Sequence, residues 1–343
     1  MIKIGQIGIG HNHSNKLETI RRYPELFEVV GYAEENEEWI ARRGDKPYFR
    51  DLPRLTVDEV IDRSDAVLVE TDVWDLTKTA QRCVDAGKHV HIDKPASGTL
   101  AEFKHLLDTA EKKHLIVQPG YMYRYNPGVQ KLFEMVKNGE LGDISAIHAE
   151  MSVIHSDSYR KWLRNFRGGD MYIFGSHLID LIVYLLGKPN RVLSSIGESG
   201  KNGVNAPDLT AAILEYDHAI ARVFSSSVQW DGFAQRCFIV DGSRGTAIIR
   251  PMEDPCQMTF AKEYEGKQYV VQTAEPVALR EQGKDERYDG MMKAFYDYIV
   301  GAAESPFTYA HEYALQETLD LAVGGVKMLG HALQEKKTPP SAK

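Results

Sequence analysis

Cysteine is scarce in this sequence, and so is any excess of basic charge. The chain of 343 residues contains three cysteines, Cys83, Cys237 and Cys256, and no two have the short spacing of a zinc or redox motif. Neither a disulfide framework nor a cysteine zinc site is therefore indicated, which fits a reducing compartment. Lysine and arginine number 41 against 49 acidic residues, giving a net charge of −8. Without a dense basic block, a nucleic acid partner is not expected.

Long apolar runs are also missing. The apolar run at 179–186 is interrupted by Asp180 and is far shorter than the roughly 18 residues of a membrane helix. Residues 1–8 have the pattern of a buried strand, with no basic region or twin arginine ahead of it. We therefore expect a cytoplasmic protein without a membrane partner, folded into two domains of roughly 100 to 200 residues each.

Strands alternate with helices in the first third of the chain. Apolar runs at 2–9, 27–32 and 66–69 have the pattern of buried strands, whereas 14–22 and 57–61 have helical spacing. Alternation of this kind predicts a parallel, doubly wound sheet.

The first strand ends in a glycine turn, where Gly8 and Gly10 match the first two glycines of a G-x-G-x-x-G fingerprint. Gly8 permits the tight turn, and Gly10 lets the backbone approach a pyrophosphate at a helix N-terminus. His13 stands where the third glycine belongs, which predicts a slightly wider loop.

A carboxylate follows the second strand. Glu34 lies 24 residues after Gly10, where it can accept hydrogen bonds from the adenosine ribose hydroxyls and would repel a 2′-phosphate. NAD is therefore favoured over NADP. The alternative is that Glu34 is a solvated loop acid like its neighbours Glu35, Glu37 and Glu38.

Two histidine pairs, His11 with His13 and His89 with His91, raise the question of a metal. No carboxylate or cysteine stands beside either pair at a ligand-like spacing. We therefore predict no metal site.

Three segments carry the motifs of a known family. Residues 86–95 read A-G-K-H-V-H-I-D-K-P, residues 120–127 read G-Y-M-Y-R-Y-N-P, and residues 168–180 read G-G-D-M-Y-I-F-G-S-H-L-I-D. They resemble, in order and spacing, the A-G-K-H-V-x-x-E-K-P, G-x-x-x-R-[FY]-N-P and G-G-x-x-x-D-x-G-x-H-x-x-D segments of the glucose-fructose oxidoreductase, inositol dehydrogenase and rhizopine-catabolism (Gfo/Idh/MocA) family. With residues 187–189 and 241–246 the resemblance covers essentially the whole chain.

The resemblance implies an α/β fold. An NAD-binding Rossmann domain is expected at 1–122, and an α+β domain with a large, open, mostly antiparallel sheet at 123–343. It implies an NAD(P)-dependent oxidoreductase that transfers hydride to or from a hydroxyl carbon of a sugar, polyol or sugar derivative. A homodimer or homotetramer through the C-terminal sheet is also implied.

The pattern of the second half agrees with such a domain. Runs within 143–155 and 190–273 have the pattern of antiparallel strands. Helices are expected at about 127–138, 288–301 and 311–333, covering one face of the sheet.

Lys94 and His177 match the family's catalytic lysine and histidine. Alcohol oxidation needs a base within hydrogen-bond reach of the hydroxyl. Our hypothesis gives His177 the proton and Lys94 the stabilisation of the developing alkoxide. The alternatives are a surface lysine and a histidine that only packs under the second domain.

The remaining site residues come from the glycine turn, the ends of the second and third strands, the family motifs and residues 155–164. The predicted cofactor-binding residues are Gly8, Gly10, His11, Asn12, His13, Glu34, Thr71, Asp72, Asp93 and Lys94. The predicted substrate-binding residues are Tyr123, Arg124, Asn126, His155, Trp162, Arg164 and Asp180, with Trp162 and Arg164 expected in a loop. For the substrate residues other than Asp180, domain packing is the alternative.

The chain departs from the family pattern near the expected nicotinamide. Ile173 replaces the aspartate four residues before the histidine, Arg167 replaces a glycine, and 71–76 lacks the usual T-P-x-x-x-H. Asp170 or Asp180 could partly replace the missing acid. Two alternative functions therefore stay open: redox-neutral glycoside cleavage or epimerisation with bound NAD, and an NAD-binding sensor with little turnover.

Overall fold

Two β-sheets organise the chain. The structure is a computed structural model that describes residues 1–262, 274–281, 283 and 286–324. In chain order its strands are β1 (Ile2–Ile7), β2 (Phe27–Ala33), β3 (Ala66–Val69), β4 (His89–Ile92), β5 (Val117–Pro119), β6 (Ile144–Glu150), β7 (Arg191–Gly197), β8 (Leu209–Glu215), β9 (Ile220–Ser226), β10 (Cys237–Gly242), β11 (Gly245–Ile249), β12 (Met258–Lys262) and β13 (Ala274–Pro276).

Helices connect these strands and cover the sheets. They are α1 (Lys16–Arg21), α2 (Glu37–Arg43), α3 (Pro47–Arg50), α4 (Val57–Arg63), α5 (Leu76–Asp85), α6 (Leu100–Lys112), α7 (Pro127–Lys137), α8 (Asp157–Leu163), α9 (Ser176–Leu186), α10 (Gly232–Gln235), α11 (Asp289–Val300) and α12 (Tyr309–Ala322). A π-helical turn, Met171–Gly175, leads directly into α9. Among the described residues, no helix combines the length and the apolar character needed to cross a bilayer.

The first sheet is parallel, in the order β2-β1-β3-β4-β5, as the alternating pattern predicted. Side chains of a strand alternate between faces, and on β3 Ala66 and Leu68 join one apolar core while Val67 and Val69 join another. Both faces are therefore buried. Strand order reverses around β1, so the loops after β1 and β3 diverge at the carboxyl edge and leave a crevice there.

The second sheet has the order β13-β12-β11-β10-β6-β9-β8-β7. Its pairs are antiparallel except for β6 with β9. The prediction of a large, mostly antiparallel sheet is confirmed. The part of the predicted strand region at 263–273, and the last part of the helix predicted at 311–333, lie outside the described residues.

Helices of the second half pack back onto the first sheet. On α12, Tyr309 donates its hydroxyl to the Leu115 carbonyl at 2.5 Å and accepts the Val117 amide at 3.0 Å. The side-chain amide of Gln118 donates a hydrogen bond to the Met291 carbonyl of α11 at 3.2 Å. These bonds fix α11 and α12 against β5 at the edge of the first sheet.

Candidate active site

The carboxyl edge of the parallel sheet collects the predicted cofactor residues. β1 ends at the glycine turn, β2 ends one residue before Glu34, β3 ends before Glu70, and β4 ends before Asp93 and Lys94. Because parallel strands all end at the same edge, residues more than 80 positions apart in the chain become neighbours.

The glycine turn is packed closely against the β3 loop. Gly8 has φ of +89°, and a Cβ there would lie 2.5 Å from the backbone of Thr71. A Cβ on Gly10 would lie 2.6 Å from the indole nitrogen of Trp39, which donates to Asp72 at 3.2 Å. Any larger residue at either position would therefore distort the turn.

The donors of this turn fit a dinucleotide. Within the described part of the chain, the amides of Gly10 and Asn12 donate no hydrogen bond. The Glu34 carboxylate accepts hydrogen bonds from the backbone amides of Ile9 and Asn36, both at 2.8 Å. Helix α1 begins at Lys16, later than the expected residue 14, so loop amides rather than the helix end face the crevice. Free amides beside a glycine are the groups that bind a diphosphate.

A buried ion cluster lies beneath the turn. Lys16 Nζ donates to Glu70 at 2.8 Å and also bonds Asp93. Burial alone would raise the pKa of Asp93, but His11 and Lys16 hold that pKa well below its usual range. The pKa of Glu70 is raised well above its usual range by burial and by Asp93. Asp93 is thus the ionised member, and it accepts the Lys94 amide at 2.6 Å.

The fold brings a carboxylate to one histidine pair, which the sequence reasoning did not anticipate. Ligand atoms of His11, His13 and Asp93 lie within 4.8 Å of one another. The Lys16 ammonium already bonds the same carboxylate, and a cation there opposes metal binding. The absence of a metal therefore stays a prediction.

Lys94 is buried and its charge is poorly compensated. The side chain is 3% exposed, and Nζ donates to the Ile173 carbonyl at 2.5 Å. Burial lowers the pKa of Lys94 to about 7; Asp93 opposes this shift, and Lys16, Arg236 and Arg287 add to it. Ile173 offers only its carbonyl where the family pattern has an aspartate, so no carboxylate stands there to stabilise the ammonium.

His177 is also buried, in the first turn of α9. Its ring packs edge-on against Tyr123 at 4.9 Å and Tyr121 at 5.8 Å between centroids. Burial, followed by Lys94, lowers its pKa well below the usual value, so the ring is neutral. Nδ1 is buried and has no partner among the described residues, which leaves Nε2 as the nitrogen able to meet a ligand.

A cavity of about 100 Å³ between the two halves joins these groups. Seven predicted site residues line it: His11, Asn12, His13, Lys94, Tyr123, Trp162 and His177. Eight further residues line it that were not predicted as site residues: Val73, Met122, Met151, Tyr159, Ile173, Phe174, Arg236 and Arg287. No motif covers Tyr159, Arg236 or Arg287, so no local pattern could have indicated them. Trp162 lies in α8, so the prediction of a loop at this residue is wrong.

Arg124 and Asp180 do not line this cavity. The Arg124 guanidinium bonds Asp180 at 2.7 Å and Glu312 at 2.6 Å, with all three side chains at most 2% exposed. Burial would lower the pKa of Arg124, but the two carboxylates raise it well above its usual value. This arrangement joins α9 to α12, and for Arg124 it is the domain packing that the sequence left as the alternative.

Three more predicted substrate residues also lie elsewhere. Asn126 caps α7 and lines an adjoining pocket of about 450 Å³, which shares Met122, Tyr123 and Arg287 with the cavity. His155 stacks behind the cavity wall on Tyr159 and Phe174, with ring centroids 4.1 and 5.1 Å away. Arg164 is exposed at the end of α8.

Comparison with known proteins identifies both halves. Residues 2–121 match the oxidoreductase family with an NAD-binding Rossmann fold, and residues 129–248 match the GFO/IDH/MocA C-terminal domain. An uncharacterised oxidoreductase of Escherichia coli (strain K12), YhhX, is 28% identical over 287 residues, covering 78% of this chain and 80% of that protein.

Two further proteins illustrate the range of similarity. Glucose-6-phosphate 3-dehydrogenase of Bacillus subtilis (strain 168) is 30% identical over 195 residues, about half of each chain (54% and 54%). The structure of a levoglucosan dehydrogenase in complex with NADH and levoglucosan superposes with a TM-score of 0.80 at 18% identity, covering 94% of this chain and 96% of that one. At that identity the superposition establishes the fold alone.

Proposed function

This chain belongs to the Gfo/Idh/MocA family of oxidoreductases, and we propose that it transfers hydride between a nicotinamide dinucleotide and a hydroxyl-bearing carbon of a sugar or polyol. The observation that carries the proposal is that Lys94 and His177 line one cavity together with glycine-turn residues 11–13. A proton acceptor and a dinucleotide loop at one cavity are what alcohol oxidation requires.

The dinucleotide is held by the glycine turn. The free amides of Gly10 and Asn12 bind the diphosphate, and Glu34 accepts the adenosine ribose hydroxyls. A carboxylate at that position repels a 2′-phosphate, so the cofactor is NAD in preference to NADP. When bound, the nicotinamide ring supplies the hydride acceptor or donor.

Lys94 accepts the hydroxyl proton. A general base is most effective when its pKa is near the working pH, and the pKa of Lys94 is lowered to about 7. The pKa of His177 lies far below this value, which makes it the weaker base. The pKa values therefore favour the reverse of the roles that the sequence suggested.

His177 positions the substrate. Its neutral ring donates or accepts one hydrogen bond through Nε2, and the rings of Tyr121 and Tyr123 fix its plane. Lys94 is held at the same cavity by the carbonyl of Ile173. Both groups are buried, which excludes water from the reacting carbon.

The second sheet mediates self-association in this proposal. Leu209 on β8 and Ile220 on β9 lie on one face, 40% and 56% exposed. Burial of that face against a second copy would remove apolar surface from water. Light scattering after gel filtration should give a dimer or tetramer, and a monomer would contradict this part of the proposal.

A substrate panel tests the proposal. The purified chain is incubated with NAD and single sugars, polyols or sugar acids, and NADH absorbance is followed. We expect at least one compound to be oxidised, and Lys94→Ala to abolish that activity. Undiminished turnover by Lys94→Ala would remove the assignment of the site. With a glycoside as the added compound, release of the aglycone without net NADH would instead indicate the redox-neutral alternative.

A further inference from the structure

A second charged cluster lies on the wall of the cavity. Arg236 and Arg287 both line it, and Glu253 lies between them, 2.6 Å from Arg236 and 3.0 Å from Arg287. The hydroxyl of Tyr123, also a lining residue, lies 3.1 Å from both guanidinium groups. None of these contacts takes part in the proton transfer proposed above.

The cluster has more positive charge than its partners neutralise. Burial would raise the pKa of Glu253, but Arg287 and Arg236 hold that pKa below its usual value, so its carboxylate is ionised. Two guanidinium groups thus share one carboxylate, which leaves one net positive charge. Among the described residues, Asp93 is already paired with Lys16, and Asp170, which also interacts electrostatically with Arg236, has its pKa raised to about 7 by burial.

One donor of the cluster is also unused. Arg236 is 6% exposed, and its Nε and Nη1 bond Ser152, Tyr123 and Glu253. Its Nη2 donates no hydrogen bond within the described ranges. A buried charge without a full set of partners is unfavourable unless a ligand supplies them.

The excess charge acts on the reacting groups. Arg236 and Arg287 both contribute to the lowered pKa of Lys94, and Arg287 contributes to that of His177. The arginines and the proton acceptor therefore share one electrostatic environment. An anion in the cavity would bring this environment closer to neutrality.

We propose that the substrate carries an anionic group, a carboxylate or a phosphate, which Arg236 and Arg287 bind in the cavity lined by Lys94 and His177. Guanidinium groups bind either anion through paired, charge-assisted hydrogen bonds. The inference rests on the proposed function, because it names the class of hydroxyl compound that the site oxidises.

Pairs of neutral and anionic compounds test the inference on the whole chain. D-Glucose is compared with D-glucuronate and D-glucose 6-phosphate, and D-sorbitol with D-gluconate, at saturating NAD. For each compound kcat/KM is measured, and binding to the NADH-saturated protein is measured by calorimetry. We expect the anionic member of a pair to bind at least about tenfold more tightly, since bonds to charged groups are the stronger ones. Comparison of D-glucuronate with D-glucose 6-phosphate shows whether the site prefers a carboxylate or a phosphate.

Arg287→Gln is the decisive variant. Its side chain is 39% exposed, and its loss leaves the Arg236–Glu253 pair in place. We expect the preference for anions to fall by about 10- to 100-fold, because one charged partner is lost. Arg287→Lys should fall between Arg287→Gln and the unmodified chain. Arg244→Gln, at an exposed arginine in the β10–β11 turn, should leave the preference unchanged.

Glu253→Gln distinguishes anion recognition by the two arginines from a purely structural role of the cluster. Removing the competing carboxylate should strengthen anion binding, whereas a structural role predicts only lost stability. The inference is overturned if neutral compounds bind as tightly as their anionic partners, if no anion binds, or if Arg287→Gln keeps the preference. If anions bind selectively but nothing is oxidised, the proposed function fails and the anion site stands.

Discussion

Replacing Lys94 with methionine should make the protein more stable while it abolishes turnover. The pKa of the amine is lowered from 10.5 to about 7, mainly by burial. One pKa unit corresponds to about 1.4 kcal/mol, so at pH 7 the burial of this amine opposes folding by roughly 4 kcal/mol. The variant also loses the hydrogen bond to the Ile173 carbonyl, worth about 1 kcal/mol. The net expected gain is about 3 kcal/mol.

The pH dependence of this gain identifies its cause. The folded pKa lies below the unfolded one, so the unfolded chain binds the extra proton between pH 7 and 10.5, and the penalty shrinks as pH rises. At pH 10 about 1 kcal/mol of penalty remains, which the lost hydrogen bond offsets. Urea unfolding at pH 7 and pH 10 measures the difference, with the exposed Lys137→Met as control. A destabilised variant at pH 7, or a gain independent of pH, would refute the reasoning.

Four further predictions follow from the site and from the packing around it. The rate of alcohol oxidation should rise with pH around a midpoint near 7, because neutral Lys94 accepts the proton. Ile173→Asp should move that midpoint upward by about 1 unit or more, because a carboxylate near Lys94 favours its charged form. Profiles of rate against pH measure both. Arg124→Met should lower the free energy of unfolding by about 3 to 5 kcal/mol, since it leaves Asp180 and Glu312 buried without their counter-charge; an unchanged denaturation midpoint would contradict this. Glu34→Ala should reduce the preference for NAD over NADP by about tenfold, seen as a ratio of dissociation constants; a preference that is unchanged would leave Glu34 as a solvated acid.

The fold, and the presence of Lys94 and His177 at one cavity, could be predicted because their signals are local. The strand pattern at 66–69 matches β3, since alternate residues there face two buried cores. Lys94 and His177 each stand within a short motif, and both line the cavity. The identification of the family and of the two-sheet fold is confirmed on this basis.

The remaining features depend on contacts between distant segments. Asp93 meets His11 only because β4 and β1 are separated by one strand in the sheet order. Arg124 and Asp180 lie in motifs of the same kind as Lys94 and His177. Their burial, however, is decided by Glu312, which lies more than 130 residues beyond both in the chain. Sequence patterns cannot distinguish a charge paired by such a partner from one that faces a cleft.

Nicotinamide dinucleotide binding beside Lys94 is the claim on which the account depends. Calorimetric titration of the cofactor-stripped chain with NAD, repeated with Gly10→Trp, tests it most directly. We expect saturable binding by the unmodified chain and its loss in the variant, whose indole would fill the space over the turn. No binding of NAD or NADP to the unmodified chain would contradict the account.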